Sequence, residues 1–481
     1  MRRLLKIGAA TIVAVAVIAG GLYLFGARIE MDGGGGFHLR FVDSPGAQAR
    51  RIEEHRRAQH AAAAAIAVPP PAPSDSPPGT DSTPAPGSVP VTPMVVPASW
   101  PGFRGPLRDG RYLDRPVLAT WPVEGLTPMW KQPSGAGYAS FAVAGGRAFT
   151  IEQRGDREVV AAYEIATGRE VWTHAWDAAF RELMGGDGPR ATPTWFDGSL
   201  YALGATGELR RLDAATGRVV WRTNILQDAG ADNLPWGMAG SPLIVDDTVI
   251  VQPGGSNGRS VVAYDRRTGA RRWSAHDDKQ AYASPMLATI AGERQLIVFS
   301  ASRVMGLSPS DGALRWQHPW TTQYDMNASQ PMVIGANRVF VSSGYGTGAT
   351  VIELTRAGDA FQVREVWRNI RMKNQFNSSV LRDGFIYGLD EAILACIDAA
   401  TGAVKWKGGR YGYGQVVLAG DRLIVLTETG DLVLVAASPD EHSELARFSA
   451  LEGKTWNHPA FADGILLVRN LREMAAFDLR R

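Results

Sequence analysis

The pattern of apolar and polar positions changes character along the chain. Residues 7–27, IGAATIVAVAVIAGGLYLFGA, form an apolar run without a charge. From about residue 125 the chain turns to short apolar stretches that alternate with polar residues and end in Gly-containing turns. Within 192–224, for example, TPTWFDG, SLYALGA, ELRRLDA and RVVWRTN follow one another. A period of two sends alternate side chains to opposite faces of a strand, so this region is predicted to be all-β. Residues 47–67, AQARRIEEHRRAQHAAAAAIA, are rich in Ala and charge and predict a helix. Residues 68–98 hold eleven prolines among Ser, Thr, Gly and Asp. Such a stretch builds no core and is expected to be a disordered tether that holds a globular head away from a membrane.

The alternating region repeats. Its unit is an apolar strand, an acidic residue, a Thr-Gly turn and a Trp four residues after the Gly. It reads YEIATGREVW at 163–172, LDAATGRVVW at 212–221, YDRRTGARRW at 264–273, LSPSDGALRW at 307–316 and IDAATGAVKW at 397–406. With Trp367, Phe448 and, one step upstream, Trp130, the ladder is Trp130, Trp172, Trp221, Trp273, Trp316, Trp367, Trp406, Phe448. Its steps of 42, 49, 52, 43, 51, 39 and 42 residues are the periods of propeller blades. Eight positions predict an eight-bladed β-propeller over 99–481. The strand at Trp130 is expected to complete the last blade and close the ring. The remaining divisions are an anchor at 1–30, a partly helical juxtamembrane segment at 31–67 and the tether at 68–98. Gly supplies the positive φ of each turn, and Asp213, Asp265 and Asp398 are placed to accept from the turn amides, a structural role. The indoles are expected to wedge between neighbouring blades.

The TGxxxW repeat resembles the PQQ-like, tryptophan-docking propeller family, which takes in quinoprotein alcohol dehydrogenases and BamB-like scaffolds. The opening WPGFRGPLRDG at 100–110 is similar to the first segment of its small members. The resemblance implies fold more than activity. For the enzymes it implies PQQ with calcium, held by a Glu/Asn/Asp set beside a pair of adjacent cysteines. This chain has one cysteine, Cys396, read as a buried structural residue, and Asp232-Asn233 is the one fragment of such a set.

A second alignment places the start of each blade: YASF at 138, RATP at 190, AGSP at 239, YASP at 282, ASQP at 328, NSSV at 377, YGQV at 413 and WNHP at 456. The second column is small, as expected where eight strands converge. The third is polar (Ser140, Thr192, Ser241, Ser284, Gln330, Ser379, Gln415, His458) and reads as a hydrated channel lining. The first column supplies Tyr138, Arg190, Tyr282, Asn377, Tyr413 and Trp456, aromatic faces and one cation suited to a small planar anionic ligand or a partner's loop. The adjacent loops 173–190 and 222–239 are 18 residues each. The first carries a helical candidate, DAAFRELM, and the second carries Trp236, a candidate rim residue.

Composition narrows the function. The N-terminal 98 residues take 9 of the 50 Lys and Arg and 7 of the 48 Asp and Glu, so the body is formally neutral and nucleic acid is not an expected partner. One cysteine rules out an intrachain disulfide, haem attachment and Cys-cluster zinc. The chain has no H-E-x-x-H, P-loop or G-x-S-x-G motif, so no catalytic residue is assigned. His174, His276 and His318 fall in three different blades and read as loop histidines, not metal ligands. The expected function is a membrane-tethered, non-catalytic binding or scaffold module, BamB-like in fold, with a cell-envelope protein as partner. A PQQ-dependent oxidoreductase and a ligand sensor are the alternatives.

Arg2, Arg3 and Lys6 precede the apolar run, which is long enough to cross a bilayer, and the basic excess predicts N-inside orientation. In a Gram-negative host this puts a single-pass chain in the inner membrane with its propeller in the periplasm. The alternative is a signal peptide cut after Val17-Ile18-Ala19, which leaves a soluble periplasmic protein. N-terminal sequencing of the mature protein is expected to start at Met1 or Arg2. A start near Gly20 shows cleavage.

Overall fold

The computed structural model describes residues 26–66, 100–358 and 360–480. Eight sheets of antiparallel strands succeed one another as blades: 142–177, 194–224, 243–275, 286–319, 332–369, 380–410, 415–449 and 460–478. The elements before them are the hairpin β1 (Ala27–Met31) and β2 (Phe37–Phe41), helix α1 (Pro45–Ile66), β3 (Arg111–Tyr112) and β4 (Trp130–Pro133). The eight-bladed all-β architecture is therefore as the repeat predicts. β4 supplies the fourth strand of blade 8, pairing with Glu473–Asp478 so that Trp130 faces Ala476. Among the described residues no helix is long and apolar enough to cross a membrane. Of the apolar run only Gly26 and Ala27 are described, and the Pro-rich stretch 68–98 lies outside the described residues.

The ladder joins the blades. A Cβ on Gly168, Gly217, Gly269, Gly312 or Gly402 would run into the ring of Trp130, Trp172, Trp221, Trp273 or Trp367, respectively. At Gly217, with φ +74°, that Cβ would stand 2.4 Å from Trp172, so the turn and the packing both require glycine. Trp172 Nε1 donates to Ala214 O at 3.1 Å, Trp221 to Arg266 O at 3.0 Å and Trp406 to Ser438 O at 2.9 Å, each a carbonyl of the following blade. Trp316 departs from this scheme. It packs with Ile352, Leu354 and Phe361 of blade 5 and donates to Gln295 Oε1 at 2.6 Å. Asp213, Asp265 and Asp398 each accept from the Thr amide and hydroxyl three residues on.

The channel is not open. Residues 100–112 enter it from the Thr-Gly-turn end and fill it. Trp100 bridges Val143 of blade 1, Pro101 O accepts from Trp195 N of blade 2 at 2.7 Å, and β3 runs parallel to the inner strand of blade 7. Two buried arginines carry the plug. Arg104 donates to Ser379 O at 2.7 Å, Asp109 O at 2.9 Å and His458 Nε2 at 3.0 Å. Arg108 donates to Ser241 O at 3.0 Å, Pro285 O at 2.7 Å and Pro242 O. Accepting from Arg104 makes His458 a neutral imidazole with its proton on Nδ1, which donates to Pro459 O at 2.7 Å. Burial, with Arg104 beside it, holds its pKa well below the usual value.

The hydrated lining expected from the third column is thus corrected: all eight side chains are buried. Their polar atoms staple neighbouring blades. Thr192 Oγ1 accepts from Ser140 N, Ser241 Oγ from Thr192 N and Ser284 Oγ from Ser241 N, each at 2.9 Å. The candidate helix DAAFRELM is likewise a loop, braced by Arg181 on Asp156 and Asp187. The helix among the described residues of these two loops is α2 (Ile225–Ala229), capped by Asn224.

Helix α1 lies on the seam between blades 8 and 1. Ile52 and Arg56 are buried, and Arg56 donates to Gln132 Oε1 at 2.7 Å and Pro133 O at 3.0 Å. Beneath it Glu152, fully buried, accepts from Ser134 Oγ at 2.7 Å and pairs with Arg154 at 2.6 Å. Burial alone would raise the Glu152 pKa, but Arg154, Arg469 and Arg56 hold it down at about 2.

Replacing Arg104 by Met leaves the carbonyls of Ser379 and Asp109 without their donor. It is expected to cost on the order of 3 kcal/mol, read as a lower denaturant midpoint at unchanged slope. A midpoint equal to wild type would show that the plug is not held by this side chain.

Candidate functional site

Between the plug and the outside, at the blade-start end, lies a partly open cavity of about 180 Å³. Phe103 and His458 form its floor. Its walls are largely aromatic, from Tyr138, Tyr282, Trp236, Tyr345, Phe376 and Trp456. Met31 and Gly33 form its roof, because the β1–β2 hairpin folds across the mouth. The roof is latched. Gly33 N donates to Glu428 Oε1 at 2.7 Å, Gln375 Nε2 to Gly33 O at 3.2 Å, and Glu30 pairs with Arg472 at 2.6 Å.

The blade-start column supplies Tyr138, Arg190, Tyr282 and Trp456 to this cavity. Trp456 stacks on Tyr138 at 5.3 Å and meets Phe376 at a tilt, 4.2 Å between centroids, and its Nε1 donates to Glu428 Oε1 at 2.9 Å. Tyr413 stands just outside, against Gly33 of the roof and 5.7 Å from the Phe376 ring. Asn377 is buried and absent from the lining; Phe376, one residue earlier, occupies the wall. Trp236 is half-buried and leans on Tyr282 at 6.0 Å rather than standing free on the rim.

Arg190 lines the cavity, and part of its guanidinium is held by its own loop. Its guanidinium donates to Gly186 O at 2.5 Å and to Gly188 O, and lies 4.5 Å from the Phe180 ring centroid. It ties down its own loop. Lys454, the other cation at the mouth, lies 3.7 Å from the Trp456 centroid and donates to Met184 O at 3.0 Å. Burial lowers its pKa to about 8. Both cations thus place donors on carbonyls of loop 173–190, and the cavity lining is mostly rings and methionines with Arg190, Gln375, Gln415 and His458 among them.

Blade-start alignment does not reach Phe103, Tyr345, Met326 or the roof, because these come from the plug, a mid-blade hairpin and a loop. The roof did have a signal: ARIEM and FHLRF alternate with period two around DGGGG, a hairpin signature. Elsewhere, His174 meets Arg210 at 3.1 Å, His276 meets Gly312 O at 2.8 Å and His318 faces Glu365 at 3.6 Å. Asn233 donates to Ala205 O at 3.0 Å. Among the described residues no group of three His, Cys, Asp or Glu is placed to hold a metal.

Sealed ring, plugged channel and turn-borne Trp ladder define a PQQ-like β-propeller. The chain belongs to this family: its residues 156–408 match the family model described as outer membrane protein assembly factor BamB. A protein of that name from Yersinia pestis is 22% identical over 290 residues, covering 57% of this chain and 72% of its own length. One from Burkholderia pseudomallei is 22% identical over 374 residues, covering 72% and 89%. Among solved structures, quinohemoprotein alcohol dehydrogenase from Comamonas testosteroni superposes with TM-score 0.60 at 14% identity, covering 79% of this chain and 80% of that one. BamB from Moraxella catarrhalis does so with TM-score 0.53 at 15% identity, covering 74% and 98%. At these identities the structural likeness is one of fold.

One buried acid near this rim makes a pH prediction. Glu158 accepts from Ala205 N at 2.8 Å, and burial raises its pKa to about 7. A carboxyl raised in the folded state binds more protons there than when unfolded, so its contribution falls as pH climbs from about 4.5 to 7. Wild-type protein is expected to lose on the order of 1–3 kcal/mol more than Glu158→Gln between pH 5 and 8. Parallel stability curves for the two would show that Glu158 is ionised throughout.

Proposed function

We propose that this chain is a cell-envelope binding module, tethered at a membrane by residues 7–27 and non-catalytic. Its site is the lidded aromatic cavity, and its ligand is an aromatic side chain on a loop of a partner protein. The observation that carries this reading is the cavity itself. An apolar cavity of about 150 Å³ accepts a benzene ring, and this one measures about 180 Å³ with aromatic walls. The small planar anion that the sequence also suggested is disfavoured, because Arg190 and Lys454 donate to main-chain carbonyls. The name of the relatives, an outer membrane assembly factor, supports an envelope protein as the partner.

The oxidoreductase alternative draws on fold alone. PQQ is a planar, negatively charged quinone. The cavity residues fit it poorly, since Arg190 already donates to two carbonyls of loop 173–190 and Lys454, which donates to Met184 O, is not among the lining residues. The chain's single cysteine also leaves out the adjacent pair of the enzymes.

The test uses indole as a probe of the cavity, followed by ligand-observed NMR. Trp456→Ala and Tyr282→Ala are each expected to weaken indole binding about tenfold or more. A photo-crosslinking residue in place of Tyr345, in the native envelope, is expected to capture one protein, and Trp456→Ala to abolish the capture. Unchanged indole binding in both variants would overturn the assignment of the cavity. Dye-linked alcohol oxidation after loading with PQQ and calcium would overturn the non-catalytic reading.

A further inference from the structure

The β1–β2 hairpin is built inside out. Ala27, Ile29 and Met31 stand opposite Phe41, Leu39 and Phe37, so these six side chains share one face. The other face carries Glu30, His38 and Arg40. In a water-soluble sheet the apolar face turns to the protein and the charged face to solvent. Here Glu30 pairs with Arg472 of the propeller at 2.6 Å and with Arg40 at 3.4 Å, and Arg40 reaches over Gly453. Glu30 of the charged face is thus turned to the rim; of the apolar face, Ala27 is buried and Met31 enters the cavity roof, while Ile29 and Phe41 border the cleft toward α1 and loop 173–190. Ile29, Phe37, Leu39 and Phe41 are left 56%, 67%, 62% and 64% exposed. β2 is also an edge strand, paired among the described residues with β1 alone. A cluster of large exposed apolar side chains on one small element marks a contact surface.

The chain itself says what covers it. Ala27 is both the last residue of the charge-free run 7–27 and the first residue of β1. No spacer separates the two, so a bilayer that takes up the run begins within a residue or two of this face. We infer that the Ile29/Phe37/Leu39/Phe41 face of the hairpin lies in the apolar interface of a phospholipid bilayer, with the cavity mouth of the propeller turned toward the membrane. This rests on the tethering reading above and adds the contact surface and the orientation. Helix α1 before the Pro-rich stretch and Trp100 after it both sit on the propeller.

The test uses full-length protein in vesicles of phosphatidylethanolamine and phosphatidylglycerol containing brominated phosphatidylcholine. The native Cys396 is buried, so an environment-sensitive fluorophore goes selectively to an introduced cysteine. Leu39→Cys and Phe41→Cys report on the apolar face and Arg40→Cys on the charged face. Val123→Cys, 99% exposed in the loop before β4 and outside the hairpin, is the control. Bromolipid is expected to quench the labels at 39 and 41 about twofold or more, with far less effect at 40 and none at 123. Protein that floats with the vesicles but shows no quenching at 39 and 41 overturns the hairpin contact and leaves tethering intact. Protein that does not float overturns both. Unquenched protein that forms a disulfide-linked dimer through Leu39→Cys assigns the face to a second copy and overturns the proposal.

Discussion

The constraint on which this molecule depends is the space left where eight inner strands meet. Their carbonyls point into an axial void that is too wide to close and too narrow to hydrate freely. The protein resolves this with Arg104 and Arg108. Both are buried and both hold left-handed backbone, φ 60° and 56°. Arg108 spreads its donors over carbonyls of two blades, and Arg104 over Ser379 O, Asp109 O of the plug and the His458 ring, which a lysine's single ammonium would not span. Left-handed backbone at a non-glycine residue is costly and persists where the surroundings over-determine it. Here the blades do so. Gly110 is part of the same device, since a Cβ there would stand 2.5 Å from the Arg104 guanidinium.

Filling the axis from one end makes the other end a site. An open channel would have been a wet tube with two mouths. A plug that stops at Phe103 leaves a floor, the blade starts make walls, and the hairpin supplies a roof. The buried pairs at the seam serve the same geometry. Arg56, Glu152, Arg154 and Arg469 join α1, blade 1 and blade 8, so the segment that carries the roof is fastened where the ring closes. Without α1 on that seam, the hairpin would hang from the rim by the Glu30 and Gly33 contacts.

Architecture and site differ in how they can be read from a sequence. The blades were legible because each is a local object. Gly217 and Trp172, or Gly269 and Trp221, lie within about one blade of each other, and their spacing recurs. The mouth was partly legible for the same reason, since Tyr138, Tyr282 and Trp456 sit at equivalent points of the repeat. Asn377 shows the limit. The alignment was correct to one residue, and one residue decides whether a side chain meets the cavity or the core. The chemistry of Arg190 was not legible at all. Its partners are carbonyls of its own loop, and a residue string does not show which main-chain groups a fold leaves unpaired.

By itself, then, the sequence determined the number of blades, the turns that separate them, the aromatic residues that join them and the ring closure at Trp130. These follow from period-two strands, positive-φ glycines and a recurring spacing, all of which act over short stretches of chain. Only the tertiary structure decided that WPGFRGPLRDGRY fills the channel, that polar column residues are staples instead of a wet lining, and that residues 27–41 cover the mouth. Each of these depends on segments far apart in sequence, such as Arg104 with Ser379 or Gly33 with Glu428. Their pairing is set by which carbonyls and rings the closed ring leaves unsatisfied, and that is a property of the assembled fold.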